Sequence, residues 1–239
     1  KKNLIRIISD NLKTLIGALI IAILIRSLIV QPFYIPSSSM EPTLLVGDRI
    51  FVTKFSYGYS KHSFPFSPNF SNNRFFSKKP KQGDLVVFKT PADNRTDYIK
   101  RLIGLPGDEI QFINGNLLIN GKKVIREKTV SNEFIRCGNF IVNSVTYLET
   151  LPNGIKHLAT YNRDGTLQNT KLYKVPDHHY FLMGDNRDCS KDSRFLNEVG
   201  YVTKQNLVGK AKIIFFSNDT NISSLLKIWN ISKSFRAER

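Results

Sequence analysis

Apolar residues crowd the start of the chain: LKTLIGALIIAILIRSLIV, 12–30, is interrupted by polar side chains only at Lys13, Thr14, Arg26 and Ser27. About 19 residues rising roughly 1.5 Å each match the ~30 Å hydrocarbon core of a bilayer, so the pattern predicts one transmembrane helix. Arg26 stands close enough to its end to reach the interface. A cleaved leader would finish in a small-x-small site, whereas VQPFYIP supplies bulky residues and two prolines, so the anchor is expected to stay attached. Lys1, Lys2, Arg6 and Lys13 lie at or before the start of the apolar run. The positive-inside rule then puts 1–11 in the cytoplasm and everything after 30 on the outer face.

Beyond 30 the period changes. DRIFVTKF, DLVVFKT, YIKRLIG, EIQFING, NLLING and KAKIIFFS are short β-branched or aromatic runs separated by Gly, Pro, Asn and Asp, which predicts antiparallel strands. Asn114-Gly115 and Asn120-Gly121 are hairpin turns, outlining a meander over 109–124. The expected architecture is mainly β: an antiparallel core from 31–54, 84–109 and 176–218, and an inserted β-rich subdomain at 110–175. A 55–83 excursion without clear period is read as a largely solvated loop whose Phe and Lys side chains approach the membrane surface, and 219–239 is a C-terminal tail.

Composition changes this picture little. At 239 residues, 41% of them hydrophobic, the chain can bury a sizeable core. The net charge of +16 calls for a polyanionic partner, but the basic residues are dispersed and no zinc-finger spacing, Arg-rich helix or RNA-binding aromatic signature occurs. Lipid is therefore expected as a partner and nucleic acid is not. The two cysteines, Cys137 and Cys189, can pair or stay free. His62, His157, His178 and His179 show no metal-binding spacing and read as exposed loop or strand residues; no metal or other cofactor is expected.

Candidate chemistry lies in three segments. IPSSSMEPTLLVGD, 35–48, presents three hydroxyls in a turn stiffened by Pro36 and Pro42. A serine hydrolase needs a base, and the histidines offer no triad. DYIKRLIGLPGD, 97–108, offers Lys100 instead. Strand alternation puts Tyr98, Lys100 and Leu102 on one face and Ile99, Arg101 and Ile103 on the other. A lysine among apolar neighbours can lose its proton, because burial disfavours the charged form; a drop of two to three pH units from about 10.4 costs about 3 to 4 kcal/mol. MGDNRDCSKDSR, 183–194, packs polar side chains into a tight turn.

PSSSMEPTL, GDLVVFK, DYIKRLIGLPGD and GDNRDCSKDSR, in this order behind an N-terminal anchor, resemble the signature boxes of bacterial type I signal peptidases. The resemblance implies a serine–lysine dyad. It puts the nucleophile at Ser39, the general base at Lys100, and the oxyanion hole at the Ser37 hydroxyl and the Ser39 N–H. Ser190 would orient the lysine, and Asp192 and Arg194 would hold the last loop. Ile35, Met40, Leu44, Tyr98 and Ile99 fall where the family builds shallow pockets for small residues. Three departures stand out: Ser38 replaces a common glycine, Cys189 a usual asparagine, and RFLNEVGYV lengthens the turn after Arg194.

The implied function is membrane-bound removal of signal peptides from secretory preproteins after Ala-x-Ala sites, by a monomer on the outer face of the bacterial cytoplasmic membrane. The alternative is an anchored β-rich binding or assembly protein. SLLK at 224–227 has the S-x-x-K spacing of penicillin-recognising enzymes, but too little chain follows for that class's other motifs.

Overall fold

The computed structural model describes residues 2–68, 73–129, 134–162, 168–217 and 229–230. The SLLK segment and all but two residues of the 219–239 tail lie outside them, as do 130–133 and 163–167 of the insert.

Helix α1 spans Lys2–Leu28, beginning ten residues before the predicted 12. Its stretch Ile5–Leu28 is long and apolar enough to cross a membrane. The helix stops short of the predicted 30 because Val30 already pairs with Thr53 and Pro32 has no N–H to extend a helix. In chain order the strands are β1 (Val30–Tyr34), β2 (Arg49–Thr53), β3 (Leu85–Lys89), β4 (Asp97–Gly104), β5 (Glu109–Ile113), β6 (Asn116–Ile119), β7 (Lys122–Lys123) and β8 (Ile125–Lys128). They continue with β9 (Phe134–Cys137), β10 (Phe140–Thr150), β11 (Lys156–Asn162), β12 (Tyr173–Lys174), β13 (His179–Met183), β14 (Val202–Thr203), β15 (Leu207–Phe216) and β16 (Trp229–Asn230).

The fold is mainly β. A curled antiparallel sheet runs β1-β2-β15-β3-β4-β13-β14, with β16 on β15. Register shifts in β15 and β13 bend it, as bulges do. Gly209 stands at one of these shifts because a Cβ there would meet the Thr53 carbonyl oxygen at 2.6 Å. The insert forms two smaller sheets, β12-β5-β6-β7 and one centred on β10, which pairs with β8, β9 and β11. Asn114, Gly115, Asn120 and Gly121 all have positive φ, as two-residue hairpin turns demand. Phe112, Leu117 and Ile119 of the insert share one core with Ile103, Phe181 and Met183, so the insert is packed onto the main sheet.

Two sequence expectations are corrected. His157 and His62 are buried rather than exposed. The excursion also docks on the sheet over much of its length: Tyr57 donates to Asp84 at 3.0 Å, Lys54 to the Ser63 carbonyl at 2.5 Å, and Arg74 to the carbonyls of Gly58 at 2.6 Å and Leu207. Polar side chains bound to backbone carbonyls leave no hydrophobic period to read.

Candidate active site

The 35–48 loop is closed at its neck, where Ile35 N–H donates to the Asp48 carbonyl and Gly47 N–H to that of Ile35, both at 2.9 Å. Its apolar residues Ile35, Met40 and Leu44 sink into a core with Ile50, Val52, Leu85 and Val87. At roughly 1.5 to 3 kcal/mol per buried side chain, these three anchors fix the tight turn Ser38–Met40 that carries Ser39.

Beneath that turn lies β4. From Lys100 to Gly104 it is buried on both faces, so every polar side chain there must find a partner inside the protein. Lys100, 4% exposed, donates from Nζ to Ser39 Oγ at 2.6 Å; Ser39 itself is 8% exposed. Burial pulls the lysine down from 10.5 to about 8, opposed by Asp192 and Asp185 and reinforced by Arg194. Ser37 is exposed, with its Oγ 3.3 Å from Ser39 Oγ. A buried amine of lowered basicity beside a hydroxyl, with a second hydroxyl at hand, is equipped for general-base activation of a nucleophile.

The turn after β13 covers this pair. Asp192 accepts from Gly184 N–H at 2.9 Å and from Arg194 at both oxygens, each at 2.8 Å. Burial pushes this carboxyl up, but the Arg194 charge and these hydrogen bonds outweigh it and hold Asp192 below the usual range. Arg194 also donates to the Arg187 carbonyl, which ties the turn to itself. Ser190 does not make the expected hydrogen bond to Lys100: its buried Oγ has no hydrogen-bond partner among the described residues. It packs against Gly184, where a Cβ would meet Ser190 Oγ at 2.2 Å and the Ser39 carbonyl at 2.4 Å.

Of the residues expected to form pockets, Ile35, Met40, Leu44 and Ile99 come together in one apolar cluster, the first three wholly inside it. Tyr98 packs in another, with Leu102 and Tyr57.

Several residues that hold the site escaped the sequence reading. Asp185 accepts from Arg101 at 2.7 and 2.6 Å and from Thr43 at 2.5 Å, joining the last turn, β4 and the serine loop. Asn186 donates from its backbone to the Ser39 carbonyl at 3.2 Å and from its side chain to those of Ser38 and Arg136, both at 3.1 Å. Arg187 meets Glu149 at 2.6 Å and Tyr161 at 2.6 Å, reaching into the insert. Cys189 is disulfide-bonded to Cys137 at the end of β9. The available signal was Arg101 itself, since an arginine inside an apolar strand needs a carboxylate. Its partner lies 84 residues away in the 183–194 turn, where nothing distinguishes Asp185 from the turn's other aspartates.

Residues 8–216 match the family profile described as "Signal peptidase, peptidase S26". A signal peptidase I of Rickettsia typhi is 43% identical over 230 residues, covering 87% of this chain and 84% of the relative. One from Rickettsia akari is 44% identical over 219 residues, covering 84% and 77%. A solved signal peptidase I from Enterococcus faecalis V583 aligns with 56% of this chain and 97% of its own at 26% identity, with a TM-score of 0.32.

Proposed function

The chain belongs to the signal peptidase family, peptidase S26, proteases that process signal peptides, and we propose that it cleaves with a Ser39 nucleophile and a Lys100 general base. The observation that carries this reading is the 2.6 Å contact between Lys100 Nζ and Ser39 Oγ in a water-poor setting. Neutral Lys100 takes the hydroxyl proton as Ser39 Oγ attacks the scissile carbonyl. The Ser37 hydroxyl and Ser39 N–H stabilise the oxyanion. The lysine, now an ammonium, gives its proton to the leaving amine, and the acyl-enzyme forms. That amine leaves as the N-terminus of the mature protein, and Lys100 then activates a water that hydrolyses the ester, releases the signal peptide and regenerates the serine.

Asp192 and Arg194 keep the last turn seated on the dyad. Tyr98 and Ile99, half-buried beside Lys100, line the approach, with Ile35, Met40 and Leu44 as the wall behind. The small side chains of Ala-x-Ala sites suit so shallow a surface. Helix α1 anchors the enzyme in the bacterial cytoplasmic membrane. Its basic N-terminal flank favours the cytoplasm, and the Cys137–Cys189 bond favours an oxidising outer face.

The test is N-terminal sequencing of the product when the purified full chain meets a preprotein with Ala at the first and third positions before its cleavage site. Cutting after that Ala, and none when the first is changed to Leu, is expected. Indifference to the Leu would remove the small-x-small assignment.

A further inference from the structure

Where α1 meets the sheet, a cavity of about 390 Å³ opens, large enough for a small polar ligand. Four cations line it, Arg26, Lys54, Lys89 and Arg95, against a single carboxylate, Asp97. Asp97 is engaged by Lys89 at 2.9 Å. Arg26 and Arg95 make no ion pair among the described residues. Lys54 is buried, and burial, then the charge of Arg26, pull it down to about 8, with Asp97 opposing and Lys89 adding to the effect. The cavity thus holds more positive charge than its own residues compensate, and a bound anion would relieve it.

Its position matters as much as its charge. Arg26 lies in the last turn of α1, so if the helix spans the bilayer the cavity sits at the depth of the lipid phosphates. The rim bears Phe66, fully exposed, and both Phe66 and Ser67 hold positive φ, a left-handed conformation that costs energy for side chains other than glycine. A 3.0 Å contact between His62 Nδ1 and Ser67 Oγ braces this rim. An aromatic ring held out beside a phosphate-level cation cluster suits the interface between headgroups and acyl chains.

We propose that this cavity binds the phosphodiester headgroup of an anionic phospholipid between Arg26, Lys54 and Arg95, with Phe66 dipping into the acyl region beside it. The site fixes how the domain after α1 sits on the membrane. The proposal rests on α1 being a membrane anchor.

The experiment is native mass spectrometry of the full chain in detergent with phosphatidylglycerol, with phosphatidylcholine of equal chain length, and with inorganic phosphate. Wild type is expected to retain phosphatidylglycerol at least tenfold better than phosphatidylcholine and not to retain inorganic phosphate. R26Q/R95Q should lose that preference, whereas K122Q/K123Q, the same charge change on an exposed strand, should keep it. Circular dichroism confirms that each variant is folded. If R26Q/R95Q is misfolded, Phe66→Ser takes its place and should weaken retention severalfold. Equal retention of both lipids, binding of inorganic phosphate alone, an equal loss in K122Q/K123Q, or unchanged retention in the folded cavity variant overturns the site. Carbonate extraction of native membranes reports the anchor separately: a chain that resists extraction yet shows no headgroup preference refutes the cavity alone, and a chain that is stripped off refutes the anchor.

Discussion

Lys100 is held at about 8, against 10.5 in water, mainly because its surroundings exclude solvent. Between these two values the unfolded chain binds a proton that the folded one refuses, so folding grows more favourable as pH rises through the window. Below about 8 both states are protonated and the folded state carries the whole penalty. At about 1.36 kcal/mol for each tenfold change, that penalty is roughly 3 kcal/mol. Lys100→Met keeps the length of the side chain and removes the charge. It forfeits the hydrogen bond to Ser39, worth about 1 kcal/mol, so the variant should be about 2 kcal/mol more stable at neutral pH. For a chain of this size that corresponds to roughly 4 to 8 °C in Tm. Thermal unfolding of the full chain in detergent, followed by circular dichroism at about pH 7 and again near pH 10, reads both the gain and its decline with pH. A catalytically silent Lys100→Met that melts no higher than wild type at neutral pH, or whose advantage is the same at both pH values, would refute the claim that Lys100 is buried at the cost of stability.

Other outcomes follow from the same geometry. Cleavage of a short peptide, measured as kcat/KM, should rise about tenfold from pH 7 to pH 9 as Lys100 gives up its proton, and a flat profile would contradict a lysine base. Gly184→Ala should reduce kcat by about a hundredfold or more without unfolding the chain, because its Cβ would push Ser190 Oγ and the Ser39 carbonyl away from the dyad; steady-state kinetics read the loss. Reducing the Cys137–Cys189 bond, which closes a loop of 52 residues, should destabilise the protein by about 2 to 4 kcal/mol, seen as a lower Tm in reductant that Cys137→Ser shows without it. Arg187→Gln should cost about 3 to 5 kcal/mol in denaturant unfolding, because Glu149 would be left buried without its cation.

What the sequence disclosed and what it withheld have physical reasons. The apolar run before Val30 and the Asn-Gly turns of the insert were legible because helix and hairpin signals are local. Lys100 was legible only as a lysine that burial could deprotonate; its role as base, like the choice of Ser39 among three serines, came from resemblance to a family. The Arg101–Asp185 and Arg187–Glu149 pairs were not legible: each joins a strand residue to one in the turn after β13, tens of positions away, and a buried ion pair leaves no periodicity to read. The 55–83 excursion misled for the same reason, since cations bound to backbone carbonyls resemble a solvated loop in sequence. Ser190 shows the reverse case, a position given a partner by family resemblance that finds none among the described residues.

The most direct test of the dyad is to trap the acyl-enzyme from an activated ester peptide at mildly acidic pH, where deacylation by a protonated Lys100 is slow, and to locate the adduct by peptide mapping and mass spectrometry. The account predicts one acyl group on Ser39, absent from Ser39→Ala. An adduct on Ser37 or Ser38, or one that persists in Ser39→Ala, would contradict it.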